Sequence, residues 1–173
     1  DVYKRQVVLD EAYIEYSPES NNRALLDEFD NVVIVRTFSK AYGLAGLRVG
    51  YALSSVAVAD LLNRIRQPFN VSRVALAAAA AALADSDFIE KTRLMNDEQM
   101  RWLEKQFDAL GLGFIKSHAN FIMVEIAVEM EDITAASIHQ ALLEQGVIVR
   151  PLEGYGLPCL LYTSDAADDG ESV

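Results

Sequence analysis

Thr37-Phe38-Ser39-Lys40-Ala41-Tyr42-Gly43-Leu44-Ala45-Gly46-Leu47-Arg48-Val49-Gly50-Tyr51 follows, across Arg36, an apolar run of Val32-Val33-Ile34-Val35. The run has the length and composition of a buried strand in a parallel sheet. Two hydroxyls and a lysine stand where that strand gives way to a loop, and small residues then lead to Arg48. Open α/β sheets bind ligands at the carboxyl ends of their strands. Hydroxyls and a guanidinium suit a phosphate, and a lysine in a dry cleft suits carbonyl chemistry. A single long charged side chain is more often plain surface. Lys40 and Arg48 therefore gain weight only alongside other groups.

Those groups lie upstream. Val7-Val8-Leu9-Asp10-Glu11-Ala12-Tyr13 reads as a second apolar strand ending in a carboxylate, with a tyrosine three residues later. A carboxylate at the end of a buried strand is costly without a cationic partner. A protonated pyridine nitrogen is one such partner, and a tyrosine hydroxyl suits the phenolic oxygen of the same ring.

Taken together, Asp10-Glu11-Ala12-Tyr13, Thr37-Phe38-Ser39-Lys40 and Arg48 resemble the signature of fold-type-I, pyridoxal-phosphate-dependent aminotransferases. The resemblance runs from about Val7 to Pro158 and is closest to the histidinol-phosphate aminotransferase family. His118-Ala119-Asn120-Phe121 and Gly146-Val147-Ile148-Val149-Arg150-Pro151 share in it. It implies an α/β fold: the C-terminal part of a fold-type-I transferase, with an incomplete large-domain sheet, helices and a smaller α+β domain. It implies pyridoxal 5'-phosphate as cofactor and Lys40 as the Schiff-base lysine. Asp10 would pair with the ring nitrogen and Tyr13 with the phenolic oxygen. Ser39, Arg48 and, more weakly, Thr37 would hold the phosphate.

The implied substrates are L-histidinol phosphate and 2-oxoglutarate, giving L-glutamate, in a cytoplasmic homodimer when full length. Asn120 and Arg150 are weaker candidates for the substrate face, and for Arg150 a surface or interface salt bridge serves equally well. The family's arginine for the substrate carboxylate belongs just beyond Gly154-Tyr155-Gly156-Leu157-Pro158, where this chain has none. An aromatic aminotransferase or a threonine-phosphate decarboxylase of the same family is the near alternative. A non-catalytic α/β binding module is the remote one.

The two ends read differently from the rest. Asp1-Val2-Tyr3-Lys4-Arg5-Gln6 can be encoded by a sequence whose complement, read one base in, encodes Cys159-Leu160-Leu161-Tyr162-Thr163-Ser164. That relation is expected of a transposon-end sequencing adapter, so residues 1–6 and 159–173 are expected to lie outside the fold. Residues 7–158 are then an internal piece of a longer protein, a reading that genomic codons for either end would sink. Within it, residues 7–85 are expected to be a partial cofactor-binding domain and 86–158 an incomplete small domain, with the boundary near Asp85–Asp87.

Ser20 or Asn21 is placed to cap a helix over about Arg23–Phe29, and Leu47–Leu53 reads as a third strand. Val56–Arg66 has helical spacing, and Ser72–Leu83 reads as a buried, alanine-rich helix. A long amphipathic helix over Phe88–Leu110 ends at Gly111. Strands at Phe114-Ile115 and Phe121–Val124, a helix near Ile133–Gln145 and a strand at Val147–Val149 complete the pattern. Tyr42, Tyr51, Met95, Met100 and Trp102 read as packing, and His118 as a loop histidine.

The net charge of −11, from 26 acids and 15 bases, disfavours nonspecific nucleic-acid binding. The one cysteine lies in the suspect tail, so neither a disulfide nor a metal site is expected. No apolar run reaches the roughly 20 residues of a membrane span.

Overall fold

The structure, a computed structural model, describes residues 5–17, 22–126, 134–152, 155 and 159–163, the last five by their backbone. The chain divides into two compact units between Arg93 and Leu94. The division falls inside the long helix whose start carries the expected boundary at Asp85–Asp87.

The first unit is built on a three-stranded sheet ordered β1-β2-β3: β1 (Val7–Asp10), β2 (Val32–Thr37) and β3 (Gly50–Ser54). β1 runs parallel to β2, with Val7 opposite Val32 and Asp10 opposite Val35. β3 returns antiparallel, with Thr37 opposite Gly50. The apolar run of β2 sits in the middle and buries Val32, Val33 and Ile34. β1 departs from expectation. It bonds a neighbour on one side only, so Val7 and Val8 are 43% and 59% exposed instead of buried.

A 3-10 turn (Asn22–Ala24) leads into α1 (Leu25–Glu28), within the helix expected over about Arg23–Phe29. Its expected caps, Ser20 and Asn21, lie outside the described residues. α2 (Val56–Ile65) stops before Gln67-Pro68, and α3 (Arg73–Ala84) follows with Ser72 Oγ accepting from the Ala75 N–H at 3.1 Å. α3 is less buried than its composition suggests. Ala75 and Ala79 pack on Phe38 and Val49, whereas Val74, Leu76 and Leu83 are mostly exposed. Alanine on one side lets the helix approach the loop after β2 closely. α4 (Ser86–Leu110) begins with Asp85 Oδ1 accepting from the Phe88 N–H at 3.0 Å and ends at Gly111, φ +70°.

The second unit holds a four-stranded antiparallel sheet ordered β4-β5-β7-β6: β4 (Gly113–Ile115), β5 (Phe121–Glu125), β6 (Arg150–Pro151) and β7 (Cys159–Thr163). Ile122 and Val124 of β5 pack on Met100. α5 (Ala135–Glu144) opens with a reciprocal capping box between Thr134 and Ser137 and packs through Ala135 against Ile126 and Val149.

Three expectations are corrected here. Val147–Val149 is not a strand: the Val147 N–H is taken by the Leu142 carbonyl, closing α5 around Gly146 at φ +78°, so pairing starts at Arg150. Met95 is also largely exposed and Trp102 is 55% exposed, so neither is core, while Met100 is.

The third concerns the ends. Cys159–Thr163 is a strand between β5 and β6, and Arg5 and Gln6 both hydrogen-bond Asn31. Ladder bonds use backbone groups, so an apolar, β-prone pentapeptide fills a strand position whatever its origin.

Gly50 is where β2 and β3 approach most closely. A Cβ there would lie 2.6 Å from the Arg36 carbonyl oxygen, whereas at Gly46 it would meet nothing within 4 Å. Gly50→Ala is expected to destabilise by about 1–3 kcal/mol and Gly46→Ala to change stability by less than about 0.5 kcal/mol, as read by urea unfolding.

Candidate active site

The loop between β2 and β3 is fixed from within. Thr37 Oγ1 accepts from the Ser39 N–H at 3.0 Å, which turns the chain as β2 ends. The Phe38 N–H donates to the Val49 carbonyl, and the Leu44 N–H to the Phe38 carbonyl, at 3.1 and 2.9 Å. Phe38, 3% exposed, packs on Tyr42 and Tyr51 with ring centroids 4.9 and 5.6 Å away. Lys40 therefore leaves a loop pinned at both ends.

Arg48 closes the same loop in the left-handed region, φ 49° and ψ 52°. For a residue with a Cβ this costs roughly 1–2 kcal/mol. In that conformation its Nη1 donates to Ser39 Oγ and to the Ala45 carbonyl, both at 3.3 Å. On β1, the Ala12 N–H donates to Asp10 Oδ1 at 3.1 Å, an Asx turn that leads to Tyr13. The Tyr13 ring centroid lies 5.1 Å from Lys40 Nζ.

Asp10, Tyr13, Thr37, Ser39, Lys40 and Arg48 line one cavity of about 430 Å³ in the first unit. An amine, a carboxylate, a phenol, two hydroxyls and a guanidinium thus face a single space. This donor set fits a phosphorylated pyridine aldehyde: a cation and hydroxyls for the phosphate, a carboxylate for the ring nitrogen, an amine for the carbonyl. Asn120 and Arg150 belong to the second unit. Asn120 is buried at the start of β5, beside Ala119, whose carbonyl accepts from Asn96 of α4 at 3.1 Å. Arg150 is half-buried in β6 opposite Leu161. His118 is exposed in a bend, as expected.

A second cavity, also about 430 Å³, lies in the second unit between α4, α5 and the sheet. It is lined by apolar groups such as Phe107, Ile138, Leu142 and Val149. Among the described residues no group of three or more His, Cys, Asp or Glu is placed to hold a metal. No helix there is long and apolar enough to cross a membrane.

The sequence reading missed two charged groups here, Glu11 and its partner Arg36, which lines the cavity. The carboxylate that is buried is Glu11, 6% exposed, while its neighbour Asp10 is open to the cavity. Glu11 Oε2 accepts from Arg36 Nε and Nη2, each at 2.8 Å, and Oε1 accepts from Asn22 Nδ2 at 2.7 Å. Burial alone would lower the Arg36 pKa, but interaction with the Tyr51 and Glu11 side chains outweighs it and raises the value. Burial pushes the Tyr42 hydroxyl up, with Glu15 and Tyr51 adding to the effect against Arg36. Arg36, directly after an apolar strand, and Glu11, directly after Asp10, were the available signal.

Burial is also the largest reason that Glu15 holds its proton above the usual carboxylate range; Glu11 adds to it, while a backbone hydrogen bond and Arg36 oppose it. Between the ordinary and the raised pKa the folded chain keeps a proton the unfolded chain has released. Stability attributable to Glu15 therefore falls as pH rises through that window. Glu15→Gln is expected to lose less stability than the wild type as pH rises from the ordinary carboxylate range toward neutral, measured by urea unfolding at each pH.

The model of the family described as aminotransferase class I and II matches residues 1–165. Over 151 residues the chain is 93% identical to histidinol-phosphate aminotransferase 1 of Psychrobacter arcticus, covering 87% of this chain and 40% of that protein. It is 56% identical to histidinol-phosphate aminotransferase 2 of Pseudomonas aeruginosa over 91% of this chain and 42% of that one. Among solved structures, histidinol-phosphate aminotransferase from Sinorhizobium meliloti, in complex with pyridoxal-5'-phosphate, superposes with a TM-score of 0.79. That pair is 35% identical and covers 94% of this chain and 45% of the other. The chain thus spans less than half the length of these relatives, and the sheet and loop that carry Lys40 are part of a fold-type-I architecture. It belongs to the class I and II aminotransferase family.

Proposed function

We propose that this chain is part of a pyridoxal-phosphate-dependent aminotransferase. The reaction exchanges the amino group of L-histidinol phosphate with 2-oxoglutarate, giving imidazole-acetol phosphate and L-glutamate, in histidine biosynthesis. The observation that carries the chemistry is the convergence of Asp10, Tyr13, Thr37, Ser39, Lys40 and Arg48 on one cavity. The substrate reading is supported by the names of the relatives at 93% and 56% identity. A homodimer in the cytoplasm is the assembly and compartment proposed with it.

When bound, the cofactor supplies an electron sink for negative charge developing at the substrate Cα. The side chains of this chain do the rest. Lys40 would hold the cofactor covalently through Nζ, and its free amine would serve as the base that moves the substrate Cα proton. Asp10 would hold the ring nitrogen and favour its protonated form, and the Tyr13 hydroxyl would hold the phenolic oxygen. Arg48 and the Ser39 hydroxyl hold the phosphate in the geometry that their mutual contact already sets, with Thr37 beside them. Asn120 and Arg150 are proposed for the substrate side, Arg150 toward an anionic group.

In the full-length enzyme that carries this segment, borohydride is expected to trap the cofactor on Lys40, located by peptide mass. Lys40→Ala is expected to abolish the adduct and to lower kcat by roughly 10³-fold. Preference for L-phenylalanine over L-histidinol phosphate would keep the mechanism and discard the substrate. The 173-residue chain by itself is expected to show no transamination, and turnover by the purified chain would refute that.

A further inference from the structure

The six residues proposed to hold the cofactor do not explain how Asp10 is itself held. Among the described contacts, the Asp10 carboxylate accepts only from the Ala12 N–H, two residues along the same chain. Its neighbour Glu11 is anchored across the fold. The Glu11 N–H donates to the Val35 carbonyl at 2.9 Å, extending the β1–β2 ladder one residue past Asp10. The two Glu11 oxygens are divided between Arg36 of β2 and Asn22 of the turn before α1. Since Asp10 is paired with Val35, alternation places Glu11 and Arg36 on the opposite face of the sheet from Asp10 and Val35.

Arg36 immediately precedes Thr37, where the loop carrying Lys40 begins. One ion pair therefore clamps the strand end that presents Asp10 to the strand end that presents Lys40, with Arg36 on the cavity wall and Glu11 outside its lining.

We propose that Glu11 and Arg36 are positioning residues for the cofactor: their pair fixes the spacing and orientation of Asp10 relative to Lys40. This rests on the cofactor reading above. Two features argue against a purely stabilising pair. Burying two charges gives little or no net stability over well-packed apolar side chains. And a pair that joins these two strand ends directly acts on the spacing of the groups they carry. Glu11 is not part of the cavity lining and acts through Arg36, which is, so the expected effect of the pair is on cofactor affinity and spectrum.

The test uses the full-length enzyme with three readouts: thermal unfolding, the borohydride-trapped adduct at Lys40, and the pyridoxal phosphate dissociation constant with the pH midpoint of the bound cofactor's visible absorbance. Glu11→Leu/Arg36→Met replaces the pair by apolar side chains and is expected to fold with near wild-type stability. It is expected to keep the Lys40 adduct but to bind the cofactor about tenfold more weakly, with a displaced pH midpoint. Glu11→Gln, nearly isosteric, is expected to shift both in the same direction by less, and it serves if the double variant does not fold. Folded variants with unchanged affinity and midpoint would overturn the positioning role. A wild-type enzyme with no adduct at Lys40 would instead overturn the cofactor reading itself.

Discussion

The way the two cavity-bearing strands of the first unit are held together depends on a carboxylate that is buried and hydrogen-bonded through both oxygens. Desolvating a charge costs several kcal/mol per ion, and this is offset only when geometry is good and each lone pair is used. Glu11 meets that condition through Arg36 and Asn22. Because its three partners, counting the Val35 carbonyl, come from β2 and from the turn before α1, the carboxylate sets where β1 ends. The loop after β2 then needs only Phe38 in its apolar slot and the Arg48–Ser39 contact to complete one side of the cavity.

The candidate site was legible because its residues are local in sequence and sit at strand ends, where side-chain type reports chemistry directly. The wrong inference was about which acid is buried. The cost of burying a carboxylate falls not on Asp10, where β1 ends, but on Glu11, whose N–H carries the hydrogen-bond ladder one residue further. Side chains alternate faces along a strand, so a shift of one position exchanges a solvated group for a buried one. β1 misled for a related reason: Val7 and Val8 have the composition of a buried strand, yet burial depends on what lies beside the strand, which composition does not report. The alanine-rich α3 repeats the point, burying Ala75 and Ala79 and leaving Val74 exposed.

The second unit shows how far a backbone is independent of its side chains. Cys159–Thr163 occupies the strand between β5 and β6, in the stretch where the family resemblance places an arginine for the substrate carboxylate. The ladder forms because N–H and C=O groups pair whatever residues carry them. The chemistry does not follow, since no arginine occurs between Cys159 and Thr163. Sheet topology in this unit therefore says little about substrate handling, whereas at the end of β2 the side chains themselves, Thr37, Ser39 and Lys40, line the cavity.

This contrast separates two tasks that an aminotransferase must combine. All six proposed cofactor groups lie between Asp10 and Arg48, on one sheet and its adjoining loops, and they meet in one cavity of the first unit. Asn120 and Arg150, proposed for the substrate, lie in the second unit. The chain spans 40% of its 93%-identical relative, and its apolar surfaces at Val7, Val8, Val74 and Leu76 are open to solvent. Holding a small rigid group needs side chains fixed by nearby packing, and the packing of Phe38 fixes the loop that carries Lys40. The residues proposed for the cofactor thus lie in one short segment of one unit, and those proposed for the substrate in the other.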